Sequence, residues 1–236
     1  MIIFVDIKKH VAVFGDSIFK GMQLDPDKWQ YRIINNIDIK GICEAFSIAV
    51  SNYSKVGCTI ERGFERLKKR LSSNEPCDVV VMDYGGNDCD FNWREISDNP
   101  DAEHHPKTPI DKFAQTYRDI IETLRARGIV PVLTTLPPID PQRFFNWHFR
   151  DLNRENILKW LGEVTTIYRF QENYSRVVEK IAKETGTLLV DLRGAFLKHR
   201  RIEHMLCEDG THPNTEGQKI ITEVFMRFAN QRLLLA

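Results

Sequence analysis

A serine hydroxyl is a weak nucleophile until a base is held against it. This chain carries both halves of such an arrangement, far apart in sequence. Ser17 follows the apolar run Val11–Phe14 directly, through Gly15-Asp16. His212 lies three residues after Asp209, in Asp209-Gly210-Thr211-His212. His212 can take the serine proton, and Asp209 can fix its tautomer and stabilise the imidazolium, provided one turn brings the two side chains to a common point. Acyl transfer through such a set forms a tetrahedral oxyanion, which needs preorganised donors. Asn87, in Gly85-Gly86-Asn87-Asp88, offers a side-chain amide, while Ser17 and Gly57 offer backbone N–H groups.

Each piece also has a plain structural reading. Gly15-Asp16-Ser17 and Gly85-Gly86-Asn87-Asp88 can be ordinary turns after strands, with Asp16 and Asp88 bonding nearby backbone. Gly57 can be a turn glycine, and the Asp209–His212 turn can simply lead into the last helix, capped by Asn214 or Thr215. Joint occurrence favours chemistry, because nucleophile, donors and base are all expected on loops at strand ends.

The elements that must position these residues are legible as alternating patterns. Short apolar runs predict buried strands at Val11–Phe14, within Ala45–Val50, and at Asp78–Asp83, Ile129–Thr135 and Leu188–Asp191. Helical spacing appears in Ile60, Phe64, Leu67 and Leu71, and again in Phe113, Tyr117, Ile120, Ile121 and Leu124, with Gly128 as the stop. Further helices are expected through Tyr174–Thr185 and along Ile220, Ile221, Val224, Phe225 and Phe228. Strands alternating with helices imply an α/β fold: a three-layer α/β/α sandwich around a flavodoxin-like parallel sheet of about five strands. One domain covers 1–236. The polar segment Gly21–Asn36 is read as helical around Lys28–Asn36, and Cys89–Thr108 as a polar loop. An aromatic-rich insertion at about 138–170 does not fit a minimal βα repeat; Phe144, Phe145 and Trp147 are its candidates for an acyl pocket or lid.

Composition narrows the function classes. Lys+Arg and Asp+Glu are 33 each, so no net charge steers the chain toward nucleic acid or an anionic membrane. The N-terminus lacks the pattern of a signal peptide, and no apolar run approaches the roughly 18 residues of a span. A cytoplasmic location without membrane insertion is expected. The five cysteines (Cys43, Cys58, Cys77, Cys89, Cys207) are odd in number and form no CxxC pair, which speaks for a reducing compartment. Cys58 and Cys89 read as packing residues, having no evident basic partner. Neither HExxH nor a Gly-rich phosphate loop occurs, and His104-His105 lacks a nearby ligand set, so no metal and no cofactor is expected. The expected partner is a small-molecule ester; nothing in the composition fixes an oligomeric state.

Gly15-Asp16-Ser17 with Gly21, Asn52 with Gly57, Gly85-Gly86-Asn87-Asp88 and Asp209-x-x-His212 together resemble the four blocks of the SGNH (GDSL-type) hydrolases, in the family's order and across nearly the whole chain. Ile18 stands where the family's name has leucine. The resemblance implies a flavodoxin-like α/β/α fold and metal-independent ester or thioester hydrolysis through an acyl-enzyme. By position, Ser17 resembles the nucleophile, Asp209 the orienting acid and His212 the base; Ser17 N–H, Gly57 N–H and the Asn87 amide resemble the oxyanion hole. The 138–170 stretch lies outside the shared pattern and leaves the substrate open. A small or medium acyl ester, an O-acetylated carbohydrate included, is the leading expectation, with a thioesterase or lysophospholipase as alternatives using the same residues. From other classes come a non-catalytic ligand-binding module on the same fold and a nucleotide binder holding phosphate at Ser17 and Gly57.

Overall fold

The valine-rich runs become strands because both their faces are buried. A computed structural model describes residues 9–34, 39–73 and 75–233. Its strands are β1 (Lys9–Gly15), β2 (Met22–Asp25), β3 (Gln30–Ile33), β4 (Ile48–Asn52), β5 (Val79–Asp83), β6 (Val130–Thr134) and β7 (Leu188–Val190). Five of them pair in the order β4-β1-β5-β6-β7, every pairing parallel. Numbered as the chain visits them, these strands run 2-1-3-4-5, the flavodoxin-like order. Side chains alternate between faces with period two. Ala12, Phe14, Val80, Met82 and Leu133 pack under one helical layer. Val11, Val13, Val79, Val81, Val132 and Val190 belong to the core on the other side.

The helices are α1 (Ile39–Phe46), α2 (Ile60–Leu71), α3 (Trp93–Asp98), α4 (Ile110–Arg125), α5 (Pro141–His148), α6 (Arg154–Leu161), α7 (Thr166–Thr185), α8 (Leu192–Leu197) and α9 (Thr215–Leu233). Their apolar stripes explain the layering. Ile60 and Leu67 of α2, Phe113, Tyr117, Ile120, Ile121 and Leu124 of α4, and Tyr174, Val178 and Ile181 of α7 cover the first face. Leu192 and Phe196 of α8 and Ile221 and Val224 of α9 cover the second. Among the described residues no helix is long and apolar enough to cross a membrane. All five cysteines are free thiols, and burial raises the pKa of both Cys58 and Cys89, as suits packing residues.

Several expected boundaries are corrected. The helix expected around Lys28–Asn36 is absent from the part of it that is described, Asn35 and Asn36 lying outside. In its place β2 and β3 form an antiparallel hairpin with Met22 opposite Ile33 and Asp25 opposite Gln30. The physical reason is turn chemistry: Asp25 Oδ1 accepts the Asp27 and Lys28 N–H groups at 3.0 and 3.3 Å, folding the chain back at Pro26. Ala45 and Phe46 close α1, so the second sheet strand starts only at Ile48. Cys89–Thr108 contains α3, and α7 begins at Thr166, earlier than its pattern suggested. Asp191 leaves β7 to cap α8, accepting the Gly194 N–H at 2.8 Å. The 138–170 stretch forms α5, α6 and the start of α7. With Phe91 and Ile96 its Ile139, Phe145, Phe149, Ile157, Leu161 and Ile167 make a third apolar cluster.

Candidate active site

β1 lies where the sheet order reverses, with β4 on one side and β5 on the other, the place where open α/β sheets bind ligands. The chain leaves it through a tight turn. Asp16 Oδ1 accepts the Ile18 N–H at 2.9 Å, and the Ser17 carbonyl accepts the Met22 N–H at 3.0 Å. Ser17 is left 8% exposed at the carboxyl end of the strand.

The Asp209–His212 turn reaches Ser17 by a longer route than a strand-end loop. After β7 the chain forms α8 and a 3-10 turn at Ile202–Met205 before arriving at Asp209. The turn is closed by the Cys207 N–H on the His212 carbonyl at 2.7 Å, and docked on α5 by the Asp140 N–H on the Gly210 carbonyl at 2.8 Å. Gly210 has φ +71°, and a Cβ there would lie 2.5 Å from the Asp140 carbonyl oxygen, so only glycine fits. Asp209, fully buried, then uses both oxygens. Oδ1 accepts the Thr211 and His212 N–H groups at 2.9 and 3.1 Å, and Oδ2 lies 2.6 Å from His212 Nδ1. Burial alone would raise this carboxyl; the hydrogen bond and charge of His212, with the two N–H groups, hold it below its ordinary value. His212 Nε2 lies 2.9 Å from Ser17 Oγ. Asn214 Oδ1 caps α9 by accepting from the Glu216 and Gly217 N–H groups, the capping role that its place in the loop suggested.

The expected oxyanion donors are placed differently from one another. Asn87 lines the same cleft as Ser17 and His212. Its Nδ2 donates to Asp16 Oδ2 at 2.7 Å, a link the sequence did not suggest, and the amide's second N–H is left for another acceptor. Gly57 sits in an exposed turn with φ +69° and is not among the cleft-lining residues. Its loop is tied to the Ser17 turn by the Lys55 N–H on the Gly15 carbonyl at 3.0 Å, and by Asn52 Nδ2 on the Phe19 carbonyl at 2.7 Å. Behind the site three carboxylates are buried. Burial raises Asp16, against the Ile18 N–H, the His212 charge and the Asn87 amide. Burial, and then the charge of Asp16, raises Asp83 well above its ordinary value. Asp88 is pushed up to about 6 by burial while Thr108 and the Ile60 N–H pull the other way. Asp88 Oδ1 accepts from the Ile60 N–H and the Thr108 hydroxyl and so braces α2 and the loop before α4, a structural role that reaches well beyond the nearby backbone expected of it.

The cleft has a volume of about 180 Å³. Asp16, Asp83, Asp90 and Gln171 supply much of its polar lining, Leu136, Ile139, Phe144 and Phe170 much of its apolar lining, and among the described residues no Lys or Arg contributes. Of the aromatic candidates, Phe144 lines the cleft. Phe145 does not: it is 8% exposed and spent on the third apolar cluster. Trp147 also lies outside the cleft and packs against the β2–β3 hairpin. The residue that sequence reasoning missed is Tyr31. Its ring meets His212 edge-on with centroids 5.3 Å apart, and its hydroxyl accepts from Trp147 Nε1 at 2.8 Å. Burial and the Asp209 carboxylate raise its pKa, so the phenol stays protonated. Recognising Pro26-Asp27 as a hairpin turn would have found it.

Residues 13–220 match the GDSL-like lipase/acylhydrolase family. An acetylxylan esterase from Geobacillus stearothermophilus is 24% identical over 191 residues, covering 80% of this chain and 75% of that protein. The fold is similar to the crystal structure of a lipase/acylhydrolase from Enterococcus faecalis, with a TM-score of 0.66 at 20% identity, covering 95% of this chain and 96% of that one. It is also similar to the crystal structure of the Geobacillus stearothermophilus acetylxylan esterase, with a TM-score of 0.63 at 22% identity and 93% of each chain covered.

Proposed function

The chain belongs to the GDSL-like lipase/acylhydrolase family and is a carboxylic ester hydrolase; from that premise we propose that it cleaves a short acyl group from a neutral alcohol through an acyl-enzyme on Ser17. The observation that carries the reading is the continuous chain Ser17 Oγ–His212 Nε2 at 2.9 Å and His212 Nδ1–Asp209 Oδ2 at 2.6 Å. Ser17 Oγ attacks the ester carbon while its proton passes to His212 Nε2, and Asp209 stabilises the imidazolium. The oxyanion is held by the Ser17 N–H and the Asn87 amide, both at the cleft, with the Gly57 N–H as a third donor from a turn that does not line it. Collapse expels the alcohol with the proton from His212. Water activated by the same histidine then frees the acid and restores Ser17.

The size of the cleft favours a short acyl group: about 180 Å³ is below the roughly 300–1,000 Å³ of pockets that enclose drug-sized ligands. An O-acetylated carbohydrate, of the kind the similar acetylxylan esterase is named for, supplies such a group on a neutral alcohol. The test is hydrolysis of p-nitrophenyl esters from acetate to decanoate by wild type and Ser17→Ala. Turnover confined to wild type and falling beyond butyrate is the expected result; turnover by Ser17→Ala at the wild-type rate would refute it.

A further inference from the structure

We propose that Trp29, Tyr31 and Trp147 form an aromatic platform beside the catalytic histidine that binds a sugar ring on the alcohol side of the ester. The inference rests on the esterase reading above and gives its leaving group a chemical class. Tyr31 and Trp29 come from the β2–β3 hairpin, Trp147 from α5, and they meet outside the acyl cleft. Trp29 stacks on Trp147 with centroids 5.3 Å apart and planes 20° apart, and Tyr31 meets Trp147 edge-on at 6.4 Å. Trp147 is fixed further by its hydrogen bond to Tyr31 and by the Arg150 guanidinium 4.2 Å over its ring. Trp147 is therefore the support, and the surface on offer is Trp29, 57% exposed, with Tyr31, 40% exposed.

Position assigns the side of the ester. His212 must deliver its proton to the departing alcohol, and Tyr31 touches that histidine. An alcohol leaving toward His212 departs over Tyr31 and Trp29. Chemistry assigns the class. An aromatic face is electron-rich and attracts the C–H edges of a ring laid on it, while the ring's hydroxyls keep their water on so open a surface. An alkyl chain would instead need enclosure, and this surface is bordered by Arg150 and by the Asp25–Arg32 ion pair at 3.1 Å. The hairpin also holds its tryptophan at a backbone cost. Trp29 has φ +54°, a left-handed conformation that glycine adopts freely and a bulky residue does not.

That backbone supplies the test. Trp29→Gly removes the ring and relieves the turn, so the variant is expected to fold with an unfolding midpoint no lower than wild type. Both proteins are assayed on O-acetylated xylotetraose and on ethyl acetate, whose small leaving alcohol has no ring to lay on the platform. The ratio of kcat/KM for the sugar ester to that for ethyl acetate is expected to fall about tenfold in Trp29→Gly, through KM. In parallel, unacetylated xylotetraose is titrated into Ser17→Ala and into Ser17→Ala/Trp29→Gly, following tryptophan emission. A saturable change in the first and none in the second supports the platform. A ratio unchanged within twofold, or no saturable change in Ser17→Ala, overturns it while leaving the esterase reading intact. Sugar binding without hydrolysis of either ester by wild type would support the platform and overturn the esterase.

Discussion

Replacing Asp209 by asparagine is expected to cost far more than the loss of one charge, because of what already occupies Oδ1. That atom accepts two backbone N–H groups, from Thr211 and His212 at 2.9 and 3.1 Å. Only an oxygen can stay there, so in Asp209→Asn the new amide nitrogen is forced into the Oδ2 position, 2.6 Å from His212 Nδ1. An NH2 group donates, and Nδ1 must then accept, which moves the ring proton to Nε2. A histidine protonated at Nε2 cannot take the proton of Ser17. The expected loss is roughly 10⁴-fold in kcat, about 5.5 kcal/mol on the barrier. Turnover of p-nitrophenyl acetate measures it, and the nitrogen shifts of ¹⁵N-labelled His212 report the tautomer. A kcat within tenfold of wild type would refute the argument. So would a collapsed kcat with the proton still on Nδ1, since the loss would then have another cause.

The remaining expectations concern the supports of the site. Asn87→Ala should lower kcat by about 10²-fold with little change in KM; a near-normal kcat would remove this amide from the oxyanion hole. Gly210→Ala places a Cβ 2.5 Å from the Asp140 carbonyl at φ +71°, so it should lower both the unfolding midpoint and kcat, and a fully active, fully stable variant would contradict the docking of this turn on α5. Asp88, raised by burial to about 6, stabilises the fold fully below its unfolded pKa near 4, and this contribution is lost as pH rises through about 6. Asp88→Asn should therefore lose about 2 kcal/mol less than wild type between pH 4 and pH 7; parallel stability curves in denaturant would show that Asp88 does not titrate as its burial implies.

The sheet was legible because both its faces are buried: Val79–Met82 leaves no polar residue to confuse the period, and its strand appears within a residue of where the run lies. The proximity of Ser17, His212 and Asp209 was legible because reactive residue types stood at family spacing. The hairpin was not, since all four residues of β3 are exposed and no buried stripe marks them. Nor was the division of labour among the aromatics. Phe144, Phe145 and Trp147 are near neighbours on one short helix, yet one lines the cleft, one fills a core and one supports a surface. Their roles depend on partners at Ile139, Phe149 and Trp29, which no local pattern brings together. The bond between Asn87 and Asp16 was equally hidden, joining residues on two different strand ends.

The two segments that pattern could not place converge on the same group. The hairpin reaches His212 through Tyr31. The stretch 138–170 holds the other end of that turn through Asp140 on Gly210, and the preceding 3-10 turn through Arg143 Nη1 on the Glu203 carbonyl at 3.0 Å. The regular βα repeat therefore fixes Ser17 and Asn87, while the irregular segments fix His212. Phe144 extends this coupling, because the helix that docks the Asp209–His212 turn also lines the acyl cleft. The two backbones meet closely there, since a Cβ on Gly210 would lie 2.6 Å from the Phe144 nitrogen. On the proposed reading, in which Phe144 shapes the acyl site and His212 is the base, substitutions on α5 that shift its backbone are expected to change kcat as well as KM.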